Sequence, residues 1–96
     1  MFRPSIEKKL TSVSGEMRKL RDDLRVLDEQ LLQVSDEAED SRLRALVSET
    51  PLAAAEHRDA QKAVGALRRN REATVHRLQK LEALQDELLD ELTKAR

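Results

Sequence analysis

The sequence contains no cysteine, tryptophan or tyrosine, and its one phenylalanine is Phe2. Without cysteine, the chain can form no disulfide and can perform no thiolate chemistry. Aromatic side chains usually supply much of the buried area of a globular core, so a conventional core of that kind is not expected. Few β-branched residues are present to build strands, and neither of the two glycines lies in a phosphate-binding loop.

Long apolar runs are missing as well. No stretch approaches the roughly 18 apolar residues that a membrane span requires, and the N-terminal residues lack the apolar centre of a signal peptide. We therefore expect a soluble, cytoplasmic protein with no membrane association. The formal net charge is −1, which favours no class of partner.

The chain is instead rich in charged and aliphatic side chains, which is typical of long helices and coiled coils. In the first half, apolar residues recur at alternating steps of four and three, the a and d positions of a heptad repeat. The nine positions are Ile6, Leu10, Val13, Met17, Leu20, Leu24, Leu27, Leu31 and Val34. The register does not change across Gly15, so we predict one continuous helix there.

The second half repeats the same step less strictly, because three of its seam positions are polar. Its seam positions are Ala60, Val64, Leu67, Arg71, Thr74, Leu78, Leu81, Gln85, Leu88 and Leu92. Ahead of this pattern, Thr50 can cap a helix N-terminus and Pro51 suits the first helical position. A helix is therefore predicted to begin at this point.

The two seams can be aligned as an antiparallel pair, in which facing residues have numbers with a constant sum. A sum of 98 pairs Leu10 with Leu88 and places the turn at Glu49, next to the cap and the proline. We therefore predict an all-α, single-domain coiled-coil hairpin over residues 1–96, with helices about 5–48 and 51–94. On its flank we expect Asp23 to pair with Arg77.

The segment 35–41 is the weak part of this prediction, because its only apolar residue is Ala38. A break near 35–41 is one interpretation. The alternative fold is a three-helix arrangement of 5–34, 36–48 and 51–94. Its short middle helix would bury the apolar residues that follow the weak segment. Those residues include Leu43, Leu46 and Val47.

A single hairpin with one seam buries little surface per residue, so we expect self-association. Val75, Leu84 and Leu89 flank the seam and widen the apolar stripe toward that of a bundle, while Leu32 lies outside the seam. Two hairpins forming a four-helix bundle are the simplest assembly, and another helical protein is the second option. Arg71 and Gln85 on the seam either cover apolar surface with their stems or set register and partner choice.

One basic block lies in residues 60–81, which carry six basic side chains and one acid. Arginine-rich helices can neutralise nucleic-acid phosphates. The candidate contacts, drawn from the Arg68–Arg77 cluster and the helix facing it, are Arg18, Arg21, Arg25, Arg68, Arg69 and Arg77. No aromatic residue is present nearby to stack on bases, and acids outnumber bases in the facing stretch. A solvated, salt-bridged surface is therefore the favoured interpretation.

No catalytic, metal or cofactor site is predicted. His57 and His76 are too far apart in sequence to share a helix face at metal-ligand spacing, and zinc requires three or four converging ligands. The carboxylates lie on solvated helix faces, and a thin hairpin offers no pocket for a small-molecule substrate. We thus expect a non-enzymatic coiled-coil interaction module, a scaffold, adaptor or regulator that acts as a homodimer or with a helical partner. A nucleic-acid-associated protein is the alternative.

Overall fold

The computed structural model describes residues 2–95. Within them, two long α-helices pack as an antiparallel hairpin and no strand occurs. Helix α1 covers Arg3–Ser48 and helix α2 covers Pro51–Lys94. The predicted hairpin is confirmed. Helix α1 begins two residues earlier than expected, and α2 has the predicted bounds.

Helix α1 continues without interruption through residues 35–41. The possible break near 35–41 does not occur, and the three-helix alternative is wrong. The physical reason is that the heptad step does not stop at Val34. It continues through Ala38, Ser41 and Ala45, which are half-buried or buried. Their side chains are small enough that the sequence pattern looked polar there, yet they still lie between the helices.

The turn between the helices is made by Glu49 and Thr50. Glu49 has a φ of 49°, and its N–H donates to the carbonyl of Ala45 at 3.1 Å, which is the left-handed ending common at helix C-termini. Thr50 Oγ1 accepts a hydrogen bond from the N–H of Ala53 at 3.2 Å, so Thr50 is the predicted N-cap. Pro51 is the first residue of α2, as its missing N–H and fixed φ favour.

The chain forms two compact units. The terminal unit comprises the residues up to Leu24 and those from Ala73 onward. Its core consists of buried aliphatic seam residues with further seam residues packed against them. The buried members are Ile6, Val13, Met17, Leu81 and Leu88, and the surrounding ones are Leu10, Leu20, Leu78 and Leu92. Both predicted seams thus supply this core, and α1 passes through Gly15 without a change of register.

The tip unit comprises Arg25–Glu72 and is held together differently. Its buried residues are Leu27, Ser41, Ala53 and Val64. Ser41 Oγ lies 3.3 Å from His57 Nδ1, which joins two residues whose numbers add up to 98. This contact confirms the predicted register in the tip unit.

Removing the Thr50 cap tests the turn. Thr50→Ala deletes the only side-chain acceptor bonded to the N–H of Ala53, so we expect the free energy of unfolding to fall by about 1 kcal/mol. Urea unfolding followed by far-UV circular dichroism measures the change. Thr50→Ser is the matched control, because it keeps the hydroxyl and should stay close to the unmodified protein. Equal losses in both variants would contradict the capping role.

Candidate interaction surfaces

The residues predicted to flank the seam in the terminal unit are Val75, Leu84 and Leu89. Val75 is half-buried, whereas Leu84 and Leu89 are exposed. Counted from the seam positions, Val75 and Leu89 lie on one flank and Leu84 lies on the other. The hairpin therefore leaves aliphatic side chains incompletely covered on both sides of the α2 seam, which widens its apolar stripe.

Leu32 is in the tip unit and points away from the seam, with 68% of its surface exposed. It is the first of several apolar residues on the outward side of α1. Leu43, Leu46 and Val47 follow on the same side and are also exposed. Single exposed leucines are common on protein surfaces, whereas these four residues form an exposed apolar strip along one side of α1.

The polar seam residues make bonds across the hairpin. The guanidinium of Arg71 donates from Nε to the carboxylate of Asp28, and both side chains remain partly exposed. The predicted register places Gln85 opposite Val13. Its Nε2 instead donates to Oγ of the next residue, Ser14, at 3.4 Å. Each polar group thus leaves the seam to reach a partner on α1. This geometry fits an arginine whose stem covers apolar surface while its charged end stays near water.

Replacing Arg71 tests whether residue 71 lies on the apolar seam between the helices. A leucine there would extend the aliphatic seam opposite Leu27, whereas the exposed ion pair that it removes contributes at most about 1 kcal/mol. We expect Arg71→Leu to raise the free energy of unfolding by about 1 kcal/mol, measured by thermal and urea unfolding. The matched control is Asp28→Asn, which breaks the ion pair alone and should change stability little. A lower melting temperature for Arg71→Leu would contradict the seam placement.

The candidate nucleic-acid contacts are divided between the two units. Arg18, Arg21 and Arg77 lie in the terminal unit, and Arg25, Arg68 and Arg69 lie in the tip unit. Two of the six are engaged in ion pairs. The Arg25 guanidinium is 3.5 Å from Glu29, and Arg77 Nη2 is 2.9 Å from Glu16.

The partner of Arg77 differs from the predicted one. We expected Asp23, but Arg77 donates from Nε and Nη2 to Glu16 Oε1 at 3.1 and 2.9 Å. Glu16 and Asp23 are seven residues apart and therefore occupy equivalent positions on the same flank of α1. The heptad pattern allows either carboxylate to face Arg77, so it could not decide between them.

Arg68 and Arg69 line two different grooves of the tip unit, one on each side of Gly65. The first groove, of about 310 Å³, contains Arg68 with His57 and Gln61. The second, of about 330 Å³, contains Arg69 with two further cations of α2, Arg58 and Lys62. A Cβ at Gly65 would meet only Arg69 Nη1, at 3.4 Å, so no atom of α1 requires a glycine there. Gly65 lines both grooves and has no side chain to project between them.

An internal ion pair reduces the positive charge of the first groove. Arg42 Nη2 lies 2.6 Å from Glu39 Oε1, and this hydrogen bond holds the pKa of the Glu39 carboxyl below its ordinary value. Glu39 therefore stays ionised and neutralises Arg42. Arg68 is left as the cation of this groove that no acid engages within 4.0 Å in the described residues.

The Ser41–His57 pair is a feature that the sequence analysis missed. Ser41 is 3% exposed, and its hydroxyl donates to the carbonyl of Ala38 at 2.8 Å. With its hydrogen directed to Ala38, the Ser41 oxygen can accept a hydrogen bond from His57 Nδ1, which lies 3.3 Å away. The hydroxyl is thus fully engaged and serves as a satisfied buried polar group between the helices. The signal was the heptad step itself, which reaches Ser41 at a seam position.

Comparison of the chain with protein-family models, curated proteins and solved structures found no match. Within residues 2–95, no cluster of three or more His, Asp or Glu side chains is placed to hold a metal ion. Neither described helix contains an apolar stretch long enough to cross a membrane. Among the described residues, the candidate interaction surfaces are the exposed aliphatic side chains and the two grooves that contain Arg68 and Arg69.

Proposed function

We propose that this protein is a non-enzymatic helical interaction module that pairs with a second copy of itself through the terminal unit. The observation that supports this is the exposure of Leu84 and Leu89 on the two flanks of the α2 seam. In a four-helix bundle, such flanking positions join the core, which gives each helix the wider apolar stripe that bundles require. A homodimer of two hairpins is the simplest assembly of this kind.

Energetics support the same assembly. The core of the terminal unit is a single line of seam residues between two helices, whereas a globular domain buries each of its helices on a broad face. Each additional aliphatic side chain that becomes fully buried contributes on the order of 1.5–3 kcal/mol. Burial of such a flanking leucine in each of the two copies would therefore add substantially to the stability of a small helical protein.

The test is the mass of the protein in solution. Size-exclusion chromatography with light scattering should give twice the 11.0 kDa chain mass at micromolar concentration. The double variant Leu84→Gln and Leu89→Gln should shift the mass toward one chain. Ala83→Gln and Asp90→Gln are the matched control, because both positions are exposed on the side of α2 away from the seam. A single-chain mass for the unmodified protein would contradict the proposal.

A second candidate function is binding to double-stranded nucleic acid through the tip unit. The observation that favours it is the groove in which Arg58, Lys62 and Arg69 lie together beside Gly65, with Arg68 in the adjoining groove. Binding would neutralise phosphates and release counterions, so it would weaken as salt is raised. Single-stranded targets are disfavoured, because the described helices contain no phenylalanine, tyrosine or tryptophan to stack on bases.

This candidate predicts that a labelled DNA or RNA duplex binds at low salt and dissociates as the salt concentration rises. Arg68→Glu with Arg69→Glu should abolish binding, whereas Lys8→Glu with Lys94→Glu, the same charge change outside the tip unit, should weaken it much less. Fluorescence anisotropy measures both effects. A simpler check is the ultraviolet absorbance of the purified protein. The chain has no tryptophan or tyrosine and absorbs almost nothing at 280 nm, so co-purified nucleic acid would dominate the spectrum at 260 nm. No binding at low salt would reject this candidate.

A further inference from the structure

In the part of the tip unit nearest the turn, residues 38–60, the small side chains lie between the helices and the large apolar side chains lie outside. From Ala38 to Ala60 the seam consists of alanine, serine and histidine side chains. These are Ala38, Ser41, Ala45, Ala53, His57 and Ala60, all buried or half-buried. Over the same length, the leucines and valine are exposed. This is the reverse of the terminal unit, where the aliphatic residues fill the seam.

We use the name tip patch for the exposed large apolar residues nearest the turn, three on α1 and one on α2: Leu43, Leu46, Val47 and Leu52. Their exposed fractions range from 49% to 86%. The first three lie at steps of three and four on α1, so they share one side of that helix. Leu52 is the second residue of α2, and the four residues 48–51 separate it from Val47 in sequence.

The outward position of the patch follows from the continuity of α1. The seam residues Leu27, Leu31 and Val34 fix the rotation of the helix about its axis. Because α1 has no break, the same rotation applies at residues 43–47 and turns those side chains outward. Monomeric soluble proteins rarely expose large contiguous apolar patches, and where such patches occur they mark interaction sites.

Acidic residues border the patch on both helices. On α1, Asp36 and Asp40 precede Leu43 and Val47 at steps of four and three, so all four share one side. On α2, Glu56 and Asp59 follow Leu52 at the corresponding steps. All four acids are exposed. Residues 35–59 carry seven acids and three bases, a net charge of −4. The Glu39–Arg42 ion pair cancels within itself, so six acids remain against two exposed bases, Arg44 and Arg58.

We propose that the tip patch binds an amphipathic helix of another protein, one that presents aliphatic residues flanked by lysine or arginine. The side chains of the patch would accept the apolar side of that helix, and the acidic border would pair with its basic flanks. This goes beyond the proposed function, because the tip patch shares no residue with the leucines that flank the seam in the terminal unit.

The charge on the border decides among the possible occupants. Two copies meeting at their tip patches would bring acidic borders together, and like charges in contact disfavour such a pair. An anionic membrane surface would be repelled for the same reason, and the patch lacks the aromatic and basic residues of interfacial helices. A basic amphipathic helix is the occupant that satisfies both the apolar and the acidic parts of the surface.

Two designed peptides test the proposal on the full chain. Both form the same helix with leucines along one side, and the remaining positions are lysine in one peptide and glutamate in the other. We expect the lysine peptide to bind in fluorescence anisotropy and the glutamate peptide not to bind. Leu46→Gln with Val47→Gln should weaken binding of the lysine peptide by about tenfold or more, since central apolar contacts dominate such interfaces.

Further variants separate this site from the other surfaces. Asp36→Asn with Asp40→Asn should weaken binding of the lysine peptide and reduce its salt dependence. Leu84→Gln with Leu89→Gln should leave peptide binding intact while it lowers the solution mass. Conversely, the Leu46 and Val47 variant should leave the mass unchanged. All of these side chains are exposed, so the substitutions should leave the fold intact, and circular dichroism verifies retained helicity.

Four results would overturn the proposal. Equal binding of both peptides would show that the acidic border does not select the partner. Undiminished binding to the Leu46 and Val47 variant would place the peptide elsewhere. A lower solution mass for that variant would make a second copy the occupant. Binding to phosphatidylcholine–phosphatidylserine vesicles that depends on Leu46 and Val47 would make it a membrane surface.

Discussion

The structure depends on one constraint, the fixed rotation of each helix about its own axis. The seam residues from Ile6 to Val34 and from Val64 to Leu92 set that rotation, and neither helix contains a break that could change it. Every other side chain then has an assigned direction. Leu84 and Leu89 flank the seam, Arg71 leaves it to reach Asp28, and the leucines near the turn face outward.

Most of the fold was predictable because its signals are local and redundant. The heptad step, the Thr50 cap and Pro51 each indicated the same hairpin, and the structure confirms the turn and the bounds of α2. The segment 35–41 was harder to interpret because alanine and serine contribute little to an apolar pattern. Their positions in the heptad, and not their hydrophobicity, show that Ala38 and Ser41 continue the seam.

The interaction surfaces were only partly predictable. The pattern identified Leu84 and Leu89 as residues beside the seam, but it could not select Glu16 over Asp23 as the partner of Arg77, since the two carboxylates are equivalent in the repeat. The tip patch was missed for a different reason. An apolar group that follows an acidic segment looks like the core of a short helix, and only the unbroken α1 shows that Leu43 and Leu46 have no core to enter.

The small side chains of the tip seam also have a consequence for the order of folding. A two-residue turn brings Ala45 and Ala53 together with little loss of chain entropy, so contacts beside the turn are the easiest to form. Those contacts are also the weakest, because alanine and serine bury little surface. Folding that starts at the turn must therefore extend past Ala38 and Ala60 to Val34 and Val64 before aliphatic burial begins to repay the ordering of the chain. The rate-limiting nucleus would then lie several helical turns from the connection that joins the two helices.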